Sequence, residues 1–208
     1  MIIWPLMYTE VLTKNQQDLL PLISKFSHDF YLVGGTALAL QLGHRRSIDF
    51  DLFSDREFAN DSLLKNVRRF YPVDKVYVKS RGQMTIDVHG VRMTWYQFPF
   101  IVPHQINWEE IITVPDVPTI AAMKIYALGQ RAKWKDYVDL YFIFKQYSLA
   151  AVMKIAGKLF GIEINERMVR EQLNYFADVD YSQIVEYLPG MSVSDETVKA
   201  CLKQIAVS

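Results

Sequence analysis

The sequence predicts an α+β fold in which residues 1–116 carry the strands and residues 117–208 are helical. Three observations predict it. Residues 30–33, 48–53, 73–78, 84–89 and 91–97 are apolar or alternating runs with the period of strands. From Val117 onward apolar residues recur at helical spacing. Between these regions Pro99, Pro103, Pro115 and Pro118 mark a connection rather than regular structure.

In chain order, residues 9–27 predict a helix that packs under the sheet, with Thr13 capping its first turn. Residues 30–33 form a short buried strand closed by Gly34 and Gly35, and residues 36–43 a short helix ending at Gly43. The next strand carries Asp49 and Asp51 on one face and Ile48, Phe50 and Leu52 on the other. The two aspartates have Cα atoms roughly 6.5–7 Å apart, because side chains alternate along a strand. Residues 60–70 read as an amphipathic helix stopped by Pro72, and Gly90 as a hairpin turn between the last two strands. Thr119 is the expected cap of a helix holding Lys124, Gly129 interrupts it, and residues 133–144 form the next helix. Further helices centre on Val152 to Phe160, Met168 to Phe176 and Val198 to Ile205, a bundle beside the first region.

The chain has 208 residues, 50% of them hydrophobic and 22% charged, enough for a sizeable core without staples. Its single cysteine, Cys201, excludes an intramolecular disulfide framework and fits a reducing compartment. The apolar start, Met1 to Met7, lacks the basic flank and length of a signal peptide, and no run approaches a membrane span. A cytoplasmic protein without membrane partners is the expectation. Formal net charge is zero, which excludes a general polyanion binder, although a basic cluster at His44, Arg45 and Arg46 leaves room for local RNA contact.

Glycines let a backbone approach a phosphate closely, and a helix N-terminus offers unpaired N–H groups. Gly34, Gly35 and Thr36 are therefore candidates to hold a triphosphate, and Asp49 and Asp51 to hold the metal that neutralises it. The other reading is a tight turn beside capping aspartates. Aromatic residues Trp95, Tyr96, Phe98, Phe100 and Trp108 can stack a base, but core packing is their commoner use. On the helices, Lys124 supplies a point charge where pyrophosphate would leave, and nearby carboxylates can position it or take a proton. For Asp139 a local pair with Lys135 at i,i+4 is an equal alternative.

Gly-Gly-Thr-Ala-Leu from Gly34, with His44-Arg45-Arg46-Ser47-Ile48-Asp49-Phe50-Asp51-Leu52-Phe53, resembles the AbiEii/AbiGii toxin-like family of the DNA polymerase β-type nucleotidyltransferase superfamily. A helical lysine, an arginine and Lys135-Asp136 with Asp139-Leu140 resemble its later motifs. The resemblance implies a mixed sheet with helices behind it, a nucleotidyltransferase core over residues 1–116, and a helical region over 117–208 that completes the active-site cleft. It implies transfer of a nucleotide from an NTP with Mg2+ or Mn2+, to RNA, a tRNA end or a protein, in a type IV toxin–antitoxin system whose antitoxin acts indirectly. By the same resemblance Asp49, Asp51, Lys124 and Asp136 are catalytic, with Asp49 and Asp51 holding metal. Nucleotide binding falls to Gly34, Gly35, Thr36, Arg45, Arg46, Ser47, Lys124, Arg131 and Lys135. The superfamily's third carboxylate is expected at or near Thr94, which is not acidic; Asp87 lies in the preceding strand and reads as a surface residue. That gap keeps open a rival reading, a nucleotide-binding or partner-binding module of the same fold with impaired catalysis.

Overall fold

The computed structural model describes residues 7–208, so the reading of the apolar start falls mostly outside the described residues. The chain forms two compact units, Met1–Asp116 and Val117–Ser208. The first holds a five-stranded sheet in the order β1-β2-β5-β4-β3. Its strands are β1 (Tyr31–Val33), β2 (Asp49–Ser54), β3 (Lys75–Ser80), β4 (Gln83–Val88) and β5 (Val91–Gln97). β2 runs parallel to β5 and every other neighbouring pair is antiparallel, so the sheet is mixed.

Before the sheet, the predicted helix over 9–27 is broken into α1 (Lys14–Asp18) and α2 (Leu20–Ile23), followed by a single turn at Ser24–Phe26. Pro21 is the cause: it has no N–H to give to the preceding turn and sits at the start of α2, where none is needed. Thr13 caps α1 as expected, in a reciprocal capping box with Gln16. Phe26 then meets Trp95 edge-on at 5.3 Å, which pins this segment to the sheet's buried face. That face is made of Leu32, Phe50, Leu52, Met84, Ile86, Met93 and Trp95, all fully buried. Trp95 and Trp108 are thus core residues, as their commoner use suggests.

Helix α3 (Gly34–Leu42) starts two residues earlier than predicted, so both glycines lie in its first turn. Gly43 ends it in the left-handed conformation, its N–H donating to the Ala39 carbonyl at 2.8 Å. Ile48 precedes β2 and is 53% exposed, so it does not join Phe50 and Leu52 in the core. Helix α4 (Asn60–Arg68) stops two residues before the predicted end. β4 and β5 meet through His89 and Gly90, both at positive φ, the conformation a two-residue hairpin requires. The region of prolines also contains regular structure: β6 (Ile106–Trp108) pairs with β7 (Ile112–Val114). Its three-residue loop places Glu109 and Glu110 at φ 47° and 59°, positions usually signalled by Gly or Asn.

The second unit holds the helices α5 (Val117–Leu128), α6 (Trp134–Phe144), α7 (Leu149–Phe160), α8 (Glu166–Asn174) and α9 (Asp195–Val207), with residues 175–194 irregular between the last two. α5 begins at Val117 rather than after Thr119, because Pro118 suits a first turn whose N–H groups are free anyway. Thr119 is therefore a buried residue inside the helix. α5 packs on α6 and α7, and α9 on α6 and α8, which builds the bundle. No helix among the described residues is long and apolar enough to cross a membrane.

Candidate functional site

In β2 the residues alternate between half-buried Asp49, Asp51 and Phe53 and buried Phe50, Leu52 and Ser54. Both aspartates therefore stand on the open face of the sheet while their neighbours anchor the strand. The start of α3 lies against them. A Cβ on Gly34 would run into Asp51 Oδ2, and the residue's φ of 72° disfavours any other side chain. A Cβ on Gly35 would come within 2.8 Å of the Arg45 guanidinium and 2.9 Å of Ser47 Oγ. Thr36, fully buried, donates its hydroxyl to the backbone carbonyl of Asp49.

The structure thus brings Gly34, Gly35, Thr36, Arg45, Ser47, Asp49 and Asp51 together. Arg45 is buried beside the helix start and donates to the Arg46 carbonyl at 2.8 Å. Arg46 reaches elsewhere, to the Glu10 carbonyl at 3.2 Å. The glycine pair consequently has a packing role that the sequence does not display: it admits a carboxylate, a guanidinium and a hydroxyl to the helix N-terminus.

Across the sheet, Asp51 stands in register with Thr94 and Asp49 with Arg92. On β4 the rows continue with Thr85 and Asp87. Thr85 and Thr94 hydroxyls lie 3.5 Å apart. Thr94 is therefore the direct neighbour of Asp51, and it is neutral. Among the described residues, no group of three or more His, Cys, Asp or Glu is placed to hold a metal ion. Asp87 is more than a surface residue: it accepts from the Tyr77 hydroxyl at 2.6 Å and faces Arg92 Nε at 3.5 Å.

Near the other end of this face, His104 stacks on Tyr31 with ring centroids 4.3 Å apart. Burial lowers the His104 pKa below 6.5, against a backbone hydrogen bond and the Asp55 charge that raise it. Burial, with Asp55 adding to it, raises the Tyr31 phenol well above its ordinary 10.0.

In the helical unit, Lys124 of α5 lies with its ammonium 2.7 Å from Asp136 Oδ1 and 2.6 Å from Asp139 Oδ2, both on α6. The side chains of Lys124, Asp136 and Asp139 are 7%, 9% and 0% exposed. Asp139 is therefore a buried partner of Lys124. Spacing explains the pair of carboxylates: positions i and i+3 of a helix share a side. Asp136 Oδ2 is buried without a hydrogen-bond partner, and Arg131 Nε lies 3.8 Å from it. Lys135 is half-buried in the first turn of α6. Asp139, Arg92 and the Tyr77–Asp87 pair are the residues that sequence reasoning undervalued. Only the i,i+3 spacing on α6 could have signalled the first, and nothing local signals the others.

Solved structures share this architecture. The chain superposes on MenT4, a nucleotidyltransferase toxin from Mycobacterium tuberculosis, with a TM-score of 0.61 at 14% identity, covering 92% of this chain and 80% of that one. For JHP933 from Helicobacter pylori the TM-score is 0.56 at 17% identity, covering 94% and 92%. At these identities the likeness carries the fold alone. The uncharacterized protein aq_aa25 of Aquifex aeolicus is 27% identical over 201 residues, 93% of this chain and 97% of its own length. The family model of the AbiEii nucleotidyl transferase toxin, type IV toxin–antitoxin system, matches residues 21–75 and 69–184. That match spans both the Gly34-to-Asp51 cluster and the Lys124 triad, and with it the chain belongs to the AbiEii nucleotidyltransferase toxin family.

Proposed function

We propose that this nucleotidyltransferase moves an NMP from an NTP to an acceptor hydroxyl, with an RNA or tRNA end or a protein as acceptor. The observation that carries this reading is the pair Asp49 and Asp51 on one open strand face, packed against the first turn of α3. Two carboxylates are the donor set that hard cations take, and the missing side chain at Gly34 leaves room at Asp51 Oδ2. Asp49 and Asp51 would hold Mg2+ or Mn2+, which supplies charge neutralisation and polarises the phosphoryl oxygens. Gly34, Gly35 and the α3 N-terminus, with Arg45 and Ser47 behind them, form the triphosphate side. Thr36 contributes by fixing the helix to β2 through its hydroxyl.

In the transfer, the acceptor oxygen bonds to the α-phosphorus as the bridging oxygen departs with pyrophosphate. The family match also covers Lys124, Arg131, Lys135 and Asp136, and by that likeness Lys124 and Asp136 are the further catalytic residues and Arg131 and Lys135 further phosphate contacts. Within the helical unit Lys124 fixes Asp136 by Oδ1, and Oδ2, buried 3.8 Å from Arg131, is the oxygen with capacity for a proton. The protein acts in the cytoplasm as a toxin, and its antitoxin opposes it without forming part of this site.

Incubation with labelled NTPs, magnesium and total cellular RNA or protein tests the reading, with native protein set against Asp51→Ala and Asp49→Ala. Label should transfer only with the native chain. Full transfer by either folded variant sinks the assignment. The neutral Thr94 beside Asp51 favours one rival, a module that binds nucleotide without transferring it. Calorimetry showing NTP binding, with no label moved to any acceptor, would establish that rival instead.

A further inference from the structure

Next to the aspartates, the open face of the sheet carries a restrained positive charge. Arg92 stands in register with Asp49, and the row continues through Asp87 to Lys75. Its guanidinium lies over the Tyr77 ring at 4.4 Å, with Asp87 Oδ1 3.5 Å from Nε. The Tyr77 hydroxyl ties down the other Asp87 oxygen at 2.6 Å, and the Lys75 ammonium lies 4.6 Å from the same ring. Arg92 is nonetheless 48% exposed, so a guanidinium with five donors is fixed at its base and open at its tip. The Tyr77 hydroxyl above all, and then the charges of Asp87 and Asp49, hold its protonated form more firmly than usual, against partial burial.

We propose that this face takes one divalent ion, held by Asp49 and Asp51, and that Arg92 is a phosphate-binding residue whose fixed charge occupies the side a second ion would need. The proposal rests on the nucleotidyltransferase reading above. Two carboxylates carry two negative charges, which one divalent ion balances. Beyond the phosphates a nucleotide brings, a second ion would need a further anionic ligand from the protein, and the next residues in the row beside Asp51 are the hydroxyls of Thr94 and Thr85. Asp87 gives one oxygen to the Tyr77 hydroxyl, and its other oxygen, buried without a hydrogen-bond partner, faces the Arg92 charge at 3.5 Å. A second ion placed between Asp49 and Asp87 would also lie against the guanidinium, where like charges repel. The arginine fork matches two oxygens of a phosphate and so neutralises substrate charge without a metal.

The test counts bound Mn2+ by electron paramagnetic resonance on the full chain with an α,β-methylene NTP analogue, and measures analogue affinity by calorimetry. Native protein should bind close to one Mn2+ per chain. Arg92→Ala should keep the ion on Asp49 and Asp51, admit at most a second, weaker Mn2+ on the side it vacates, and weaken the analogue about tenfold. Arg92→Gln, which retains packing on Tyr77, should weaken it similarly, while Arg92→Lys restores part of the affinity. Two Mn2+ of comparable affinity in the native chain, or native analogue affinity in folded Arg92→Ala and Arg92→Gln, would overturn the proposal. Asp51→Ala separates the two levels. If it keeps native Mn2+ binding, the parent reading fails; if it loses Mn2+ while the Arg92 variants change nothing, the Arg92 assignment alone fails.

Discussion

Replacing Lys124 with alanine removes the cation that two buried aspartates share. Its ammonium lies 2.7 Å from Asp136 and 2.6 Å from Asp139, and none of the three side chains is more than 9% exposed. Deleting one member of a buried ion pair costs about 3–5 kcal/mol, because the charge left behind is desolvated and uncompensated. Here two carboxylates lose their shared partner, with Arg131 still 3.8 Å from Asp136, so the loss belongs at the top of that range. Asp139→Asn is milder: Lys124 keeps Asp136, and the amide still fills the space, for a cost of about 1–3 kcal/mol. A domain of ordinary stability holds about 5–15 kcal/mol in total, so Lys124→Ala removes a third or more of it. Urea unfolding followed by circular dichroism measures both. The midpoint should fall in the order native, Asp139→Asn, Lys124→Ala. A Lys124→Ala midpoint at or above that of Asp139→Asn would refute the view that Lys124 is a structural counter-ion as well as a catalytic candidate.

Gly34→Ala puts a side chain into a backbone held at φ 72° and against Asp51 Oδ2. The conformational part costs about 1–2 kcal/mol, and the displaced carboxylate should cost far more in transfer rate than in melting temperature; native activity in the folded variant would contradict this. Thr36→Val removes the buried hydroxyl that meets the Asp49 carbonyl. Thermal unfolding should show a loss of about 1–2 kcal/mol, and an unchanged midpoint would show that the tie is dispensable. His104 has a lowered pKa, so between that value and 6.5 the unfolded chain binds more protons than the folded one. Stability from this group is therefore complete above about pH 7 and declines as pH falls through 6.5, and His104→Gln should flatten the decline. Melting temperatures across about pH 5.5 to 7.5 check it, and equal slopes for the two proteins would dismiss the histidine.

Where side-chain chemistry dictates local geometry, the chain is readable. The alternation from Asp49 to Ser54, the Thr13 capping box, the Gly43 helix end and the His89-Gly90 turn all follow from residues a few positions apart. Legibility fails where conformation is imposed by pairing. Glu109 and Glu110 adopt positive φ because Ile106–Trp108 and Ile112–Val114 pair across them, and glutamate announces no such turn. Ile48 looks like part of an apolar alternation, yet β2 begins only at Asp49, so the residue stays in solvent.

The same distinction decides what the glycines mean. Read along the chain, Gly34 and Gly35 invite two explanations, close approach of a phosphate or a tight turn. In the fold, each already has a protein group in the space a Cβ would take: Asp51 at the first, Arg45 and Ser47 at the second. Gly34, with its φ of 72° and Asp51 against it, is thus required before any nucleotide arrives, while at Gly35 a side chain would displace the Arg45 tip and the Ser47 hydroxyl, and the presence of the two alone does not argue for a ligand. What argues for one is the consequence of that packing. By admitting Asp51 to the first turn of α3, Gly34 sets a carboxylate beside a helix N-terminus, where unpaired N–H groups favour negative charge. A second carboxylate, Asp49, stands two residues back on the same open face. Anionic side chains and an anion-binding helix end side by side suit a substrate that brings phosphates and a cation together. Neither half of the motif carries that conclusion without the other.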